Sequence, residues 1–190
     1  MKIRRILSVF LLSVLLAALF LTPCAYALEE PTLDARNALL VDVTADRVLY
    51  GYKEKEKAYP ASITKVMTAL LVLEAVDRGE LSLSQPITAS NVAVTSITAD
   101  SSTAGIVADE VLSVEELLYC LLIVSANESA NVLAEAVAGT IPDFVDKMNQ
   151  RAQELGCEGT HFVNPNGLHD RNPFPPAWAI YLIAREAMKH

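Results

Sequence analysis

Cysteine is scarce in this chain: there are three in 190 residues, Cys24, Cys120 and Cys157. None stands at a cysteine or histidine spacing that would build a structural metal site, so neither a metal nor a cofactor is expected. Positive charge is also short. Fifteen Lys and Arg stand against 23 Asp and Glu, for a net charge of −8. An acidic surface repels phosphate backbones, which argues against a nucleic-acid partner. Internal repeats and low-complexity segments are absent, and the length suits about one domain.

Hydrophobic residues are plentiful, at 52%, and the excess is concentrated at the N-terminus. Lys2, Arg4 and Arg5 precede an uncharged run from Ile6 to Leu21, followed by Pro23 and Ala25-Tyr26-Ala27. A basic start, a short apolar core and an Ala-x-Ala site make up a secretory signal peptide over residues 1–27. The run falls short of the roughly 20 residues of a spanning helix, although an uncleaved anchor is the alternative. Cleavage removes three positive charges and takes the chain from −8 to −11. Leu21-Thr22-Pro23-Cys24 has the outline of a lipoprotein box, but Pro23 fits it poorly. Export leaves Cys120 and Cys157 free to pair or to stay reduced, and Cys120, in an apolar run, reads as a small buried hydrophobe.

Two β-branched runs, Ala38 to Val43 and Val48 to Tyr52, flank a turn and predict a hairpin. From Ser62 the apolar residues Ile63, Val66, Met67, Leu70, Leu71 and Ala75 recur at helical spacing toward a stop at Gly79. Leu81 to Gly105 shows no period and reads as irregular. Ser113 and Glu116 form a capping box for a helix without charge from Leu117 to Ala126, expected to be buried on most sides. Further helices follow Asn127, start near Pro142 and occupy Ala177 to Lys189. Asn164-Pro165-Asn166-Gly167 is a dense turn signal. A hairpin alone is too little sheet to be stable, and no further strand is evident before His190.

Chemistry concentrates at two places. Ser62-Ile63-Thr64-Lys65 puts a hydroxyl and an ammonium on one helical face, and a lysine of lowered pKa can take the proton of a serine nucleophile. Alone this is weak, since roughly one Ser-x-x-Lys arises by chance in such a chain, and an N-cap serine with a surface lysine is the plainer reading. Ser125-Ala126-Asn127 adds a second hydroxyl and an amide at the end of an apolar helix, where polar groups are costly. The hydroxyl could relay a proton and the amide could orient the lysine. Ser129-Ala130-Asn131 repeats the pattern inside the next helix, where Ser129 reads as structural.

Ser-x-x-Lys and Ser-x-Asn belong to the signature set of penicillin-binding proteins and serine β-lactamases. The segment Pro60 to Ala69, the block Leu117 to Ala130 and the stretch Thr160 to Leu168 together resemble the D-alanyl-D-alanine carboxypeptidases. The resemblance runs in order over nearly everything from Ala38 onward. It implies an α+β fold of the penicillin-binding-protein and β-lactamase type, a helical cluster against an antiparallel sheet, with residues 28–190 an incomplete D,D-peptidase domain lacking its C-terminal strands. It also implies Ser62 as nucleophile, Lys65 as base, Ser125 as relay and Asn127 as substrate-binding residue. The implied partners are peptidoglycan stem peptides and β-lactams, on the outer side of the membrane.

Two departures accompany the resemblance. The family's later Lys-Thr-Gly does not occur within these 190 residues, nor does its C-terminal amphipathic membrane anchor, so these residues alone are expected to be badly impaired. Phe174-Pro175-Pro176 stands where the family has a hydroxyl-rich helix start, which puts the docking of the last helix in question. A catalytically defective remnant that binds wall peptides is therefore one alternative. A class A β-lactamase is another, but the stretch around His161 and Asn164 lacks the glutamate such an enzyme needs. His161, His169 and Asp170 flank a turn and read as polar loop residues rather than metal ligands.

Overall fold

The computed structural model describes residues 30–57, 61–168 and 176–190. The proposed signal peptide, Pro60, His169, Asp170 and Phe174-Pro175 lie outside them. Within the unit Ala35–His190, strands β1 (Ala38–Asp42) and β2 (Arg47–Tyr52) pair antiparallel, with a register shift between Leu40 and Val41. The Asp42 carboxylate accepts from the amides of Thr44 and Ala45 and closes the turn between them.

A 3-10 turn, Ala61–Thr64, leads into helix α1 (Lys65–Asp77). Eight of its 13 residues are buried, because two cores share it. Ala69, Val72 and Ala75 face one core with Val114, Leu117, Leu121 and Leu133. Met67, Leu70 and Leu71 face the other with Phe144, Met148, Phe162 and Ile183. Each fully buried Leu, Val or Met contributes about 1.5–3 kcal/mol, so α1 is fixed from both sides. Ile63, which the periodicity places inward, is instead half exposed at the helix entrance.

The stretch Leu81 to Gly105 is more ordered than its lack of period suggests. It holds β3 (Pro86–Thr88) and α2 (Asn91–Thr95), whose N-cap Ser90 accepts from the Ala93 amide. β3 pairs antiparallel with β4 (Val111–Ser113), so further strands do occur before His190. They form a second two-stranded sheet, apart from β1-β2. Three-residue strands carry too few alternations to be seen as a pattern.

Helix α3 (Val114–Tyr119) opens with both bonds of the Ser113–Glu116 capping box. It then widens into a π-helical turn, Cys120–Val124. Burial on most sides is corrected here: Tyr119, Leu122, Ile123 and Val124 are exposed, Ile123 by 76%. A π-turn adds a residue per turn and rotates the residues after it about the helix axis, which carries the end of the apolar run off the core side. Helices α4 (Asn127–Ala138) and α5 (Ile141–Glu154) come next. Thr140 caps α5 by accepting from the Asp143 amide, and Pro142 lies in its first turn.

Helix α6 (Ala177–Ala187) has Pro176 at its N-cap and no side-chain cap bond, yet it docks. Ala179 and Ile183 are buried in the second core, the Trp178 amide donates to the Glu54 carbonyl at 3.0 Å, and Arg151 of α5 reaches Glu186. Tertiary contacts replace the lost cap. Cys120 is half-buried, Cys157 is buried, and the two are unpaired. Among the described residues no helix is long and apolar enough to cross a membrane.

Candidate active site

Lys65 is the first residue of α1 and only 2% exposed. An ammonium in that position needs partners for all three of its donors. Lys65 Nζ donates to Asn127 Oδ1 at 2.7 Å, to the Asn166 carbonyl at 2.9 Å and, more loosely, to Ser62 Oγ at 3.4 Å. All three acceptors are neutral. Burial therefore dominates and lowers the Lys65 pKa to about 8, with Glu128 opposing the shift through its charge. Ser62, one helical turn earlier, is exposed. The result is an accessible hydroxyl in front of a buried amine that gives up its proton far more readily than an ordinary lysine.

The turn that supplies the Asn166 carbonyl is built by its own side chains. Asn164 Oδ1 accepts from the amides of Asn166 and Gly167, and Asn164 Nδ2 donates to the Leu168 carbonyl. Asn166 Nδ2 donates to Asn131 Oδ1, and Asn131 in turn donates to the Ala93 carbonyl and Ser96 Oγ. Thr68 Oγ1 donates to the Pro165 carbonyl at 2.6 Å. Gly167 has φ +84°, and a Cβ there would lie 1.9 Å from the Ala61 carbonyl oxygen. Only glycine lets the turn press against the peptide that precedes Ser62.

Asn127 opens α4. Its amide N–H and its Nδ2 both donate to the Ser102 carbonyl at 3.0 Å, which leaves Oδ1 directed at Lys65. Ser125 sits in the left-handed region (φ 61°) at the end of the π-turn. Its Oγ is buried and has no hydrogen-bond partner. Thus Ser62, Lys65 and Asn127 form one bonded cluster, while the Ser125 hydroxyl stands outside it. The Thr64 hydroxyl and Glu128 Oε2 are likewise buried without partners.

Sequence reasoning passed over several members of this cluster. Asn131 belongs to the second Ser-x-Asn copy and supports the turn from inside α4, while Ser129 Oγ bonds the Leu117 carbonyl, the structural role expected of it. Asn166 contributes a backbone carbonyl, for which side-chain identity gives no signal. Glu128, fully buried, did carry one: it is the single charge in an otherwise uncharged run from Leu117 to Ala134. The cluster offers no arrangement for a metal. Among the described residues the closest metal-like group is Glu74, Glu186 and His190, at the other end of α1.

A helical cluster packed with small antiparallel sheets places the chain in the class of penicillin-binding-protein folds. Solved structures agree. Penicillin-binding protein 5 of Haemophilus influenzae is 29% identical and superposes with a TM-score of 0.81 over 86% of this chain and 47% of that one. Penicillin-binding protein D2 of Listeria monocytogenes, in its ampicillin-bound form, is 28% identical with a TM-score of 0.68, over 85% of this chain and 64% of that one.

The family model for D-alanyl-D-alanine carboxypeptidases matches residues 25–190, and the chain belongs to that family. The carboxypeptidase DacF of Bacillus subtilis is 33% identical, over 98% of this chain and 48% of its own length. DacA of Haemophilus influenzae is 29% identical, over 86% and 42%. The chain thus spans about half the length of the curated relatives it matches.

Proposed function

We propose that the protein is an exported serine-type D-Ala-D-Ala carboxypeptidase that trims the terminal D-Ala from peptidoglycan stem peptides. Residues 1–27 are its signal peptide and 28–190 belong to its D,D-peptidase domain. Ser62 Oγ bonds to the carbonyl carbon of the penultimate D-Ala as its hydroxyl proton passes to neutral Lys65. The C–N bond to the terminal D-Ala then breaks, and the proton reaches the leaving amine by way of Ser125. Water adds to the Ser62 ester, and its hydrolysis frees the shortened peptide. Asn127 holds Lys65 and the substrate amide. The Ser62 backbone N–H, at the start of the helical turn, supplies one half of the oxyanion hole.

The observation that carries this reading is the buried Lys65 amine behind the exposed Ser62 hydroxyl, with neutral acceptors only. β-Lactams, which share the acylating carbonyl, would block Ser62 in the same way. The test is covalent labelling by a fluorescent penicillin of the protein expressed from its whole gene. A lasting label on wild type and none on Ser62→Ala is expected. Label that survives the substitution contradicts the nucleophile, and label that is rapidly hydrolysed points instead to a β-lactamase.

A further inference from the structure

The proposed chemistry uses Ser62, Lys65, Ser125 and Asn127 but leaves unused the one carboxylate that is buried among the described residues. Glu128 is the second residue of α4 and completely inaccessible. Its Oε1 accepts from Thr103 Oγ1 at 2.6 Å and from the amides of Ala104, Gly105 and Ile106 at 2.7, 3.1 and 3.4 Å. Consecutive amides that converge on one oxygen make a concave anion-binding nest, and the start of a helix also favours negative charge. The loop so gripped is exposed at Thr103, Ala104 and Gly105. Among the described residues no other carboxylate bonds these amides.

The grip leads directly to the reacting groups. Ser102, next to Thr103, is the residue whose carbonyl takes both donors of Asn127, and Asn127 Oδ1 is the shortest contact of Lys65 Nζ. A continuous path therefore runs from Glu128 through the loop to the Asn127 amide and on to the lysine. Glu128 Oε2 has no hydrogen-bond partner, and its charge is the one that acts on Lys65. The other titratable group it faces is Cys120 on the π-turn, whose thiol is pushed up by burial first and then by Glu128, Glu116 and Glu110. Those last two acids act on Cys120 rather than on Lys65.

Resting on the carboxypeptidase reading, we propose that Glu128 is a positioning residue for the Ser62–Lys65 pair: it clamps the 103–106 loop so that Ser102 fixes Asn127 against the lysine, and it sets the charge that Lys65 feels. Glu128 touches no reacting atom and acts through Asn127 and through space.

The test is the pH profile of penicillin acylation for wild type, Glu128→Gln, Glu128→Asp and Thr103→Val. Loss of the negative charge removes the influence that holds the Lys65 proton on. In Glu128→Gln the rising limb should therefore move to lower pH, while the plateau rate falls about tenfold as Asn127 loosens. Glu128→Asp keeps the charge, and its limb should return toward that of wild type. Thr103→Val, at an exposed position, should lower the rate and leave the limb in place, and it serves if Glu128→Gln does not fold. An unmoved limb in a folded Glu128→Gln, or an unchanged rate in Thr103→Val, overturns the inference. Absence of Ser62 labelling in wild type would instead overturn the carboxypeptidase reading beneath it.

Discussion

Helix α1 carries a buried or half-buried cation cluster near each end, and the two are built on opposite principles. At the N-terminal end Lys65 is surrounded by neutral oxygens from Ser62, Asn127 and Asn166. At the C-terminal end Arg151 meets three carboxylates: Glu74 of α1 at 2.8 Å, Glu154 of its own helix at 3.3 Å and Glu186 of α6 at 3.4 Å. An arginine held among acids keeps its charge and ties three helices together. A lysine held among amides and hydroxyls is stabilised in position but not in charge. The arginine cluster makes structure, and the lysine cluster leaves a proton available for transfer.

Exchange of the cation at each end tests this contrast most severely. Lys65→Arg keeps a positive charge but cannot release it, and acylation by a fluorescent penicillin should fall by about a thousandfold, the worth of a lost general base. An acylation rate near that of wild type would show that Lys65 acts only as a charge.

Gly167→Ala attacks the same end through its framework. The left-handed conformation alone costs about 1–2 kcal/mol for a residue with a Cβ, and the clash with the Ala61 carbonyl adds to it. A loss of roughly 3 kcal/mol or more in urea unfolding is expected, together with loss of labelling. A variant as stable as wild type would mean that the turn does not press on the Ser62 peptide.

The pH dependence of stability also separates the two clusters. The folded-state pKa of Lys65, about 8, lies below its ordinary value of 10.5. Between those values the unfolded chain binds a proton that the folded chain does not, so stability rises with pH across that window. The gain is about 3 kcal/mol at most, is absent below pH 8, and should vanish in Lys65→Met. Denaturant midpoints of the two proteins that run parallel from pH 7 to pH 10 would contradict it. Arg151 offers no such term, and Arg151→Lys, which keeps charge but loses the planar fork, should cost only about 1 kcal/mol and leave the acylation rate unchanged. A strong effect on rate would couple the two ends.

The contrast also explains what could be read in advance. Ser62, Lys65 and Asn127 were legible because short local patterns place them, and the hairpin, the Ser113 box and the Pro142 start were legible for the same reason. The neutral surroundings of Lys65 were not, since Asn166 reaches it by a backbone carbonyl about a hundred residues away in sequence. The exposed face of Leu122, Ile123 and Val124 was misread because hydrophobicity gives burial only if the helical phase is known, and the π-turn shifts that phase. β3 and β4 are paired by residues far apart in sequence and are too short for a pattern. Helix α6 keeps its place without a cap because Arg151 and the second core hold it, and neither contact is local.

The acid–base state of Lys65 decides between a working base and a mere charge, and the pH profile of Ser62 acylation measures it most directly. If the buried amine is the base, the acylation rate of the wild-type protein rises through an apparent pKa of about 8 and levels off above it. A profile that keeps rising toward pH 10 and beyond, as an ordinary exposed lysine would give, or one flat from pH 6 to 10, would contradict that role.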